Sequence, residues 1–398
     1  VVSLPVIVGI VAINLDGGRL MQERRNAQAA ADAAALAAAA KLYAGYWSCY
    51  GQDSQGAAAS AAAASAAANG YPASGVTVNI PPSSGSFAGK PGYVEVIIQT
   101  TLAASFGAAI TSNDLPVQAR AVARGLPMSL GIIVLQSTGA NALLNESLAF
   151  TVVNSPVIVN STDASAWTQA SVGVVVASRF DITGNFVNAG PALMLGGVST
   201  GVSPTPDPLA FLPVPDSSVA MVSAAPLVVN SALPTILQPG VYQGGVRITG
   251  LSTVLMQPGV YIMQGGGFTV DGGATVVGLG VMIYNTTSTT YAPGAISITA
   301  LAKVVLAAPT SGAYQGINIF QDRSLAQPIS LTGFGLAAIT GVIYAPQAPV
   351  NLTGSATVGV DILGGAYVVR SMTVQGVGAI NINLNLNPPR IPDVRVVE

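Results

Sequence analysis

Gln238 to Tyr261 reads QPGVYQGGVRITGLSTVLMQPGVY, and the pentapeptide QPGVY opens and closes it, nineteen residues apart. The second copy begins QPGVYIMQGGGFTVDGGATVVG (Gln257 to Gly278), so the Gly pair and the apolar-polar alternation recur with it. One supersecondary unit repeated at about twenty residues is the mark of a solenoid. Runs of Val, Ile and Thr separated by Gly, Asn, Asp and Pro make its units strands and turns. The prediction is a parallel β-helix in which QPG is a turn and VY starts a strand. The Gly pair, at Gly245 and again at Gly265 to Gly267, turns a corner with positive φ and without Cβ clashes. Tyr242, Tyr261 and Tyr344 each follow a turn, which predicts aromatic stacking at one corner.

Working outward, similar runs extend from SLGIIVL near Leu130 to GAININ near Ile382, so the solenoid is placed at residues 126–388. Ten coils at ~4.8 Å each would stack to about 50 Å. One interruption, VSTGVSPTPDPLAFLPVPDSS (198–218), carries five Pro. Pro cannot donate to a ladder, so this stretch is expected to lie along the coils as an extended strap. The tail, 389–398, mixes charge with Pro and is expected to leave the coils, free to pair with a neighbouring subunit.

Of the 398 residues 51% are hydrophobic and 8% charged, against about a quarter charged in an ordinary globular protein. The formal net charge is −2 and no basic run occurs, which argues against a nucleic-acid partner. There is no His and a single Cys, Cys49, so the usual zinc and copper ligands and the commonest acid-base residue are missing. No cofactor or metal is expected. Cys49 cannot close an intrachain disulfide; it is read as a small buried hydrophobe, with an intermolecular bridge as the other option.

The N-terminal 125 residues read as a separate pilin-like α+β module. VVSLPVIVGIVAIN is almost wholly apolar; as a helix, Val1 to Leu15 would be about 22 Å long, short of a ~30 Å hydrocarbon core. Either upstream residues complete a span, or a mature chain starts here and buries the segment against protein. The Ala-rich runs that follow predict helices over Gly18 to Tyr43 and Ser54 to Asn69. GVTVNI, YVEVIIQTTL and LPVQARAVAR predict three antiparallel strands, with ASFGAAI as a short helix between the last two.

The run LPVIVGIVAINLDGGRLMQERRNAQAAADAAALAAA resembles the N-terminus of TadE/TadG-like proteins of the tight-adherence (Flp-type) pilus system. The resemblance rests on the apolar segment containing LP, the Asp-x-Gly-Arg that closes it, the charged heptad, and ADAAALAAA. It covers about forty residues; ARAVAR near Arg120 and the strap SPTPDPLAFLPVP add weaker likenesses to TadE/TadG-like surface proteins. Where pilins carry Glu at the fifth mature residue this chain has Pro5. The resemblance implies a bacterial cell-surface protein, secreted or membrane-tethered, that meets membrane or pilus assembly machinery through its N-terminal helix.

Catalytic carboxylates on a β-helix would need clustering beside basic residues. Here the acids are scattered, and Arg179 with Asp181 and Asp322 with Arg323 read as local ion pairs; Asp271 in DGG reads as a turn. Asn145, Asn160, Asn285 and Asn351 open N-x-S/T sequons and are the candidate glycosylation sites, with the NTTSTTY loop at Asn285 the favoured one. The expectation is an extracellular structural protein without enzymatic activity, a homopolymer built through Val1, Leu4, Pro5, Val6, Ile7, Ile10, Val11, Ile13, Leu20 and Leu36. Ala faces after that segment would add a tighter contact to a neighbour's helix. A membrane-anchored β-helical adhesin, a minor pilus component and a β-helical carbohydrate-active enzyme are the alternatives.

Overall fold

The computed structural model describes residues 3–104, 114–128, 130–299, 301–333, 338–354, 360–363, 365–377, 379–383, 389 and 391–398, the side chains of 3–13, 360–363 and 379–380 aside. The chain divides into two compact units, Val1–Met128 with Ile391–Glu398, and Ser129–Arg390. The segment ASFGAAI, expected to contain a helix, falls largely outside the described residues.

The first unit is built on α1 (Ser3–Ala44). It starts well before Gly18 and runs on through Gly17 and Gly18, since no Pro separates the apolar run from the Ala-rich one. Pro5 sits in the first turn, where its missing N–H leaves no intrahelical bond unmade. A single turn, α2 (Tyr46–Cys49), precedes α3 (Ala57–Ala68). The Asp53 carboxylate starts α3 by accepting the backbone N–H groups of Ala58 and Ala59 at 3.0 and 2.9 Å. Asn69 caps its C-terminus as predicted. Three strands, β1 (Val76–Asn79), β2 (Tyr93–Leu102) and β3 (Leu115–Pro127), pair antiparallel at the positions expected.

The tail does not stay free. Its strand Pro392–Val396 pairs antiparallel with β3, Pro392 opposite Pro127 and Val396 opposite Ala123. Charge decides this: Asp393 meets Arg124 at 3.2 Å, and Glu398 meets Arg120 at 2.8 Å. The solenoid is therefore an insertion between β3 and the strand beside it, bounded at 129–390 instead of the expected 126–388.

The second unit is a parallel β-helix with three faces, A, B and C, met in that order along each coil. Among the described residues ten coils stack, numbered here by position in space. Coils 1 to 7 are 221–237, 240–256, 259–279, 281–307, 317–340, 342–363 and 366–382; coils 8 to 10 are 132–152, 157–176 and 180–195. Chain order and stacking order thus differ. The last coil made, coil 7, pairs on all three faces with the first, coil 8: Tyr367 opposite Ile132, Met372 opposite Leu143, and Ile380 opposite Phe150. The chain enters at this seam, winds away through coil 10, and must return to coil 1 before it can wind back.

The strap makes the return. It is 201–220, slightly shorter than expected, since Val198, Ser199 and Thr200 still pair with Phe180, Asp181 and Ile182. Ten intervals, from the layer of 198–200 to coil 1, measure ~48 Å, and twenty extended residues reach ~66 Å, so the length suffices. Its anchors descend in order. Asn160 of coil 9 gives its amide to the Thr205 carbonyl (2.7 Å) and takes the Thr205 N–H (2.9 Å). Tyr344 of coil 6 donates to Asp207 at 2.7 Å. Arg323, just after the face A strand of coil 5, donates to the carbonyls of Leu209 (3.1 Å) and Leu212 (2.8 Å) and to the Tyr344 hydroxyl (2.9 Å).

The QPGVY repeat has a specific reason. Tyr242 and Tyr261 point into the core, where both are fully buried. Each hydroxyl reaches back four residues to the Gln carbonyl that opens the turn, Gln238 at 2.5 Å and Gln257 at 2.8 Å. The ring fills the core while its hydroxyl satisfies a carbonyl that the Pro-Gly turn leaves without a ladder partner. The two rings stack at 6.0 Å, but Tyr344 is not in their stack: Tyr284 stands opposite Ile262 and not Tyr261, so Tyr284, Phe320 and Tyr344 form a second row, at 5.1 Å steps, on the other side of the face A sheet from the core. At the A–B corner Gly245 has φ 77° and Gly266 φ 69°. A Cβ on Gly245 would fall on the Gly267 carbonyl and one on Gly266 on the Gly244 carbonyl, so backbone lies on backbone there.

Candidate assembly site

α1 has two parts with different surroundings. From Ala27 to Leu42 one face, Ala27, Ala30, Ala31, Ala34, Ala35, Ala38 and Ala39, is buried against the sheet and α3. Ala58, Ala62 and Ala66 of α3, spaced one turn apart, complete the contact. A Cβ on Gly125 would land on the Ala39 carbonyl, so β3 also lies directly on the helix backbone. This corrects the expectation for the Ala faces: they pack inside the module and are not open to a neighbour's helix.

Polar contacts fix the helix in place. Tyr71 donates to Glu23 at 2.9 Å, and burial together with that carboxylate pushes its hydroxyl up to about 12. The Gln28 amide donates to the Arg120 carbonyl and to Asp32, each at 2.9 Å. Behind the sheet, Glu95 is fully buried. Burial alone would raise its carboxyl; hydrogen bonds from Ser83, Ser84 and Asn79 outweigh this and hold it well below the usual range. Arg120 Nε also donates to it at 2.6 Å, and the same guanidinium grips Glu398.

Before Leu20 the described side chains take no part in this apolar cluster. Leu15 and Met21 are 47% and 68% exposed, and Arg24 and Arg25 are exposed. Of the expected assembly residues, Val1 lies outside the described residues. Leu4, Pro5, Val6, Ile7, Ile10, Val11 and Ile13 lie on the helix with side chains that are not described. Leu20 packs on its own module, while Leu36 is 37% exposed and faces outward. Cys49 is half-buried, its thiol 3.2 Å from the Ser54 hydroxyl, and is not the fully buried hydrophobe expected.

In the solenoid three of the four sequons are closed off. The Asn145 amide donates to Gln169 (2.8 Å), and Asn285 donates to the Gly294 carbonyl (2.9 Å) and to Gln321 (3.2 Å); both are fully buried. Asn160 is buried holding the strap. A glycan on any of them would break the turn that the amide secures. Asn351 alone of the four is exposed, on face B. Arg179 pairs with Asp181 at 2.6 Å as expected. Asp322 and Arg323 do not pair: Asp322 accepts Tyr284 (2.7 Å) and Ser324, while Arg323 holds the strap. Asp271 pairs with Arg247 one coil away at 2.8 Å. Among the described residues no group of three or more Cys, Asp or Glu could hold a metal.

The strap clamp of Asp207, Arg323 and Tyr344 was missed in the sequence, where no local spacing joins residues so far apart. Between strap and coils 6 to 9 it leaves a pocket of about 550 Å³, with Gln136, Thr138, Asp207, Gln347 and Arg370 among its walls.

Residues 1–41 match the family model described as putative Flp pilus-assembly TadE/G-like. No curated protein and no solved structure matches the chain. Among the described residues no helix is long and apolar enough to cross a membrane. A TadE/G-like N-terminus followed by a β-helical unit is the architecture expected from the sequence.

Proposed function

We propose that the chain is a subunit of a cell-surface, pilus-type polymer, exported from a bacterial cell and without catalytic activity. The match of residues 1–41 supports a role connected with Flp-pilus assembly. The observation that carries the reading is the reach of α1: its described part runs from Ser3, yet among the described side chains the apolar cluster of its own module takes it up only from Leu20 on. The segment ahead of it, LPVIVGIVAIN, is apolar by sequence and would be costly to leave in water. In a polymer it packs against the same segment of neighbours, and a contact of this kind that does not close builds a filament. The solenoid is then the part displayed.

Deleting Val1 to Asn14 tests this: the intact chain should give filaments in electron micrographs and the shortened one none. A second reading, a membrane-tethered adhesin, is favoured by the polar pocket beside the strap. It requires the apolar segment to sit in lipid and predicts single molecules after detergent extraction. The scattered acids support the non-enzymatic reading, which release of sugar products from polyuronates would overturn.

A further inference from the structure

Outward positions on faces B and C of the solenoid are equivalent by fold but not by chemistry. On face B the outward row through coils 1 to 5 is Val228, Arg247, Thr269, Ser297 and Ser330, apolar only in coil 1. On face C the row through coils 1 to 4 is Ile236, Leu255, Val277 and Val305, each directly opposite the next. In the turn leading into face C, Leu233, Leu251 and Leu301 add to it, 76%, 84% and 63% exposed. Leu301 does so with φ 76°, in the left-handed region where Gly would be the unstrained choice. The row steps down to Ala338 in coil 5, has Ile362 in coil 6, and is polar in coils 7 and 8 at Asn381 and Thr151. A parallel sheet with an uncovered apolar outer face is unusual, because such sheets are normally covered on both sides.

We propose that face C of coils 1 to 4 docks onto the same face of a second copy of this chain, sheet on sheet, about a two-fold axis. This goes beyond the polymer reading, because α1 takes no part in it. The exposed Leu, Ile and Val side chains of the patch present roughly 400 Å² of apolar surface. That is close to the apolar share of the ~800 Å² each partner contributes to a standard interface. A ladder with a ~4.8 Å repeat meets the same repeat best, at the ~10 Å spacing of packed sheets. Charge sets the direction. Lys303 is the charged residue on face C of coils 1 to 4, at the coil 4 end, and 217–246, which includes all of coil 1, carries no charge. An antiparallel arrangement places each Lys303 over the other copy's uncharged coil 1 and keeps the two ammonium groups apart. The contact is isologous and closes as a dimer.

Three full-length proteins test this by sedimentation: the natural sequence, Leu251→Glu/Leu255→Glu, and Leu4→Glu/Ile7→Glu. The last removes any association through α1. It should remain a dimer, and so should the natural sequence in detergent. The Leu251→Glu/Leu255→Glu pair, both outward-facing and so without effect on the core, should weaken the dimer by about 100-fold or more. Circular dichroism checks that it is folded. A monomeric Leu4→Glu/Ile7→Glu protein, or a dimer indifferent to the glutamates, overturns the proposal. So does a monomer that binds neutral lipid vesicles through this face. Loss of filaments with retention of the dimer in the α1 variant separates the two contacts.

Discussion

The N-terminal module and the solenoid fill their interiors in opposite ways. In the module the buried residues of α1 and α3 are almost all Ala, and β3 comes so close to α1 that Gly125 has no room for a Cβ. In the solenoid the interior is a stack of Val, Ile, Leu, Tyr, Phe and Trp repeated coil after coil. Their buried polar groups differ too. The module encloses Glu95 with Arg120 beside it, and the solenoid encloses amides, Asn145, Gln169, Asn285 and Gln321. Specificity in the first comes from what cannot be added, and in the second from what cannot be removed.

The comparison can be broken most directly by shrinking and enlarging side chains. Trp167→Ala should cost the solenoid about 3–5 kcal/mol, read in a denaturant titration, because Trp167 is fully buried against Phe180 and Phe186. Trimming the module, by Ala34→Gly, should cost only ~1 kcal/mol, the helix-propensity difference. Enlarging it reverses the order: Ala34→Leu should cost about 1–3 kcal/mol by overpacking at a fully buried site. If Ala34→Leu is silent, the account of the module as close-packed is wrong.

The buried polar groups sharpen the contrast through pH. Glu95 is held below its ordinary range, so the stability it contributes is complete above the unfolded carboxyl value, ~4.3. It is lost as pH falls from there toward the folded value. Thermal unfolding of the module should therefore weaken in acid, and Glu95→Gln should flatten that slope while lowering stability at neutral pH by about 1–3 kcal/mol. The solenoid's buried amides do not titrate, so acid acts there only through carboxylates nearer the surface such as Asp322, which burial would raise but hydrogen bonds from Ser324, Tyr284 and Thr286 hold below the usual range.

Smaller effects are expected at the strap. Asp207→Asn leaves the five-proline segment in place but weakens an acceptor of Tyr344, so ~1 kcal/mol and faster proteolysis near Phe211 are expected, with the coils intact. Smallest is Arg247→Ala. This guanidinium is 62% exposed, and losing its pair with Asp271 should change the melting free energy by less than ~1 kcal/mol.

The parts legible in the sequence were those written in local period. QPGVY gave the coil, the Pro spacing gave the strap, and Ala runs gave the helices, because turn chemistry and propensity act over a few residues. Which coil edge meets which was not legible: the residues facing each other at the seam obey the same alternation as every other pair. The tail was misread for want of a partner, although Asp393 and Glu398 against Arg124 and Arg120 held the clue in their antiparallel spacing. Sequons misled because Asn145 and Asn285 serve the same motif-sized turns from inside. The Arg323 clamp was not legible either, because it joins residues more than a hundred positions apart.

The seam also sets a schedule. Coils 8, 9 and 10 are synthesised first, and the edge of coil 8 that will meet coil 7 stands open until residues 366–382 emerge. With 153–365 still to be made, the wait is roughly 10–40 s at cellular elongation rates. The sheet of the module waits as well, since β3 gains its neighbour only from Pro392–Val396. Closure of both units therefore waits for 366–396, and a polypeptide that stops short of this stretch is open in two places at once.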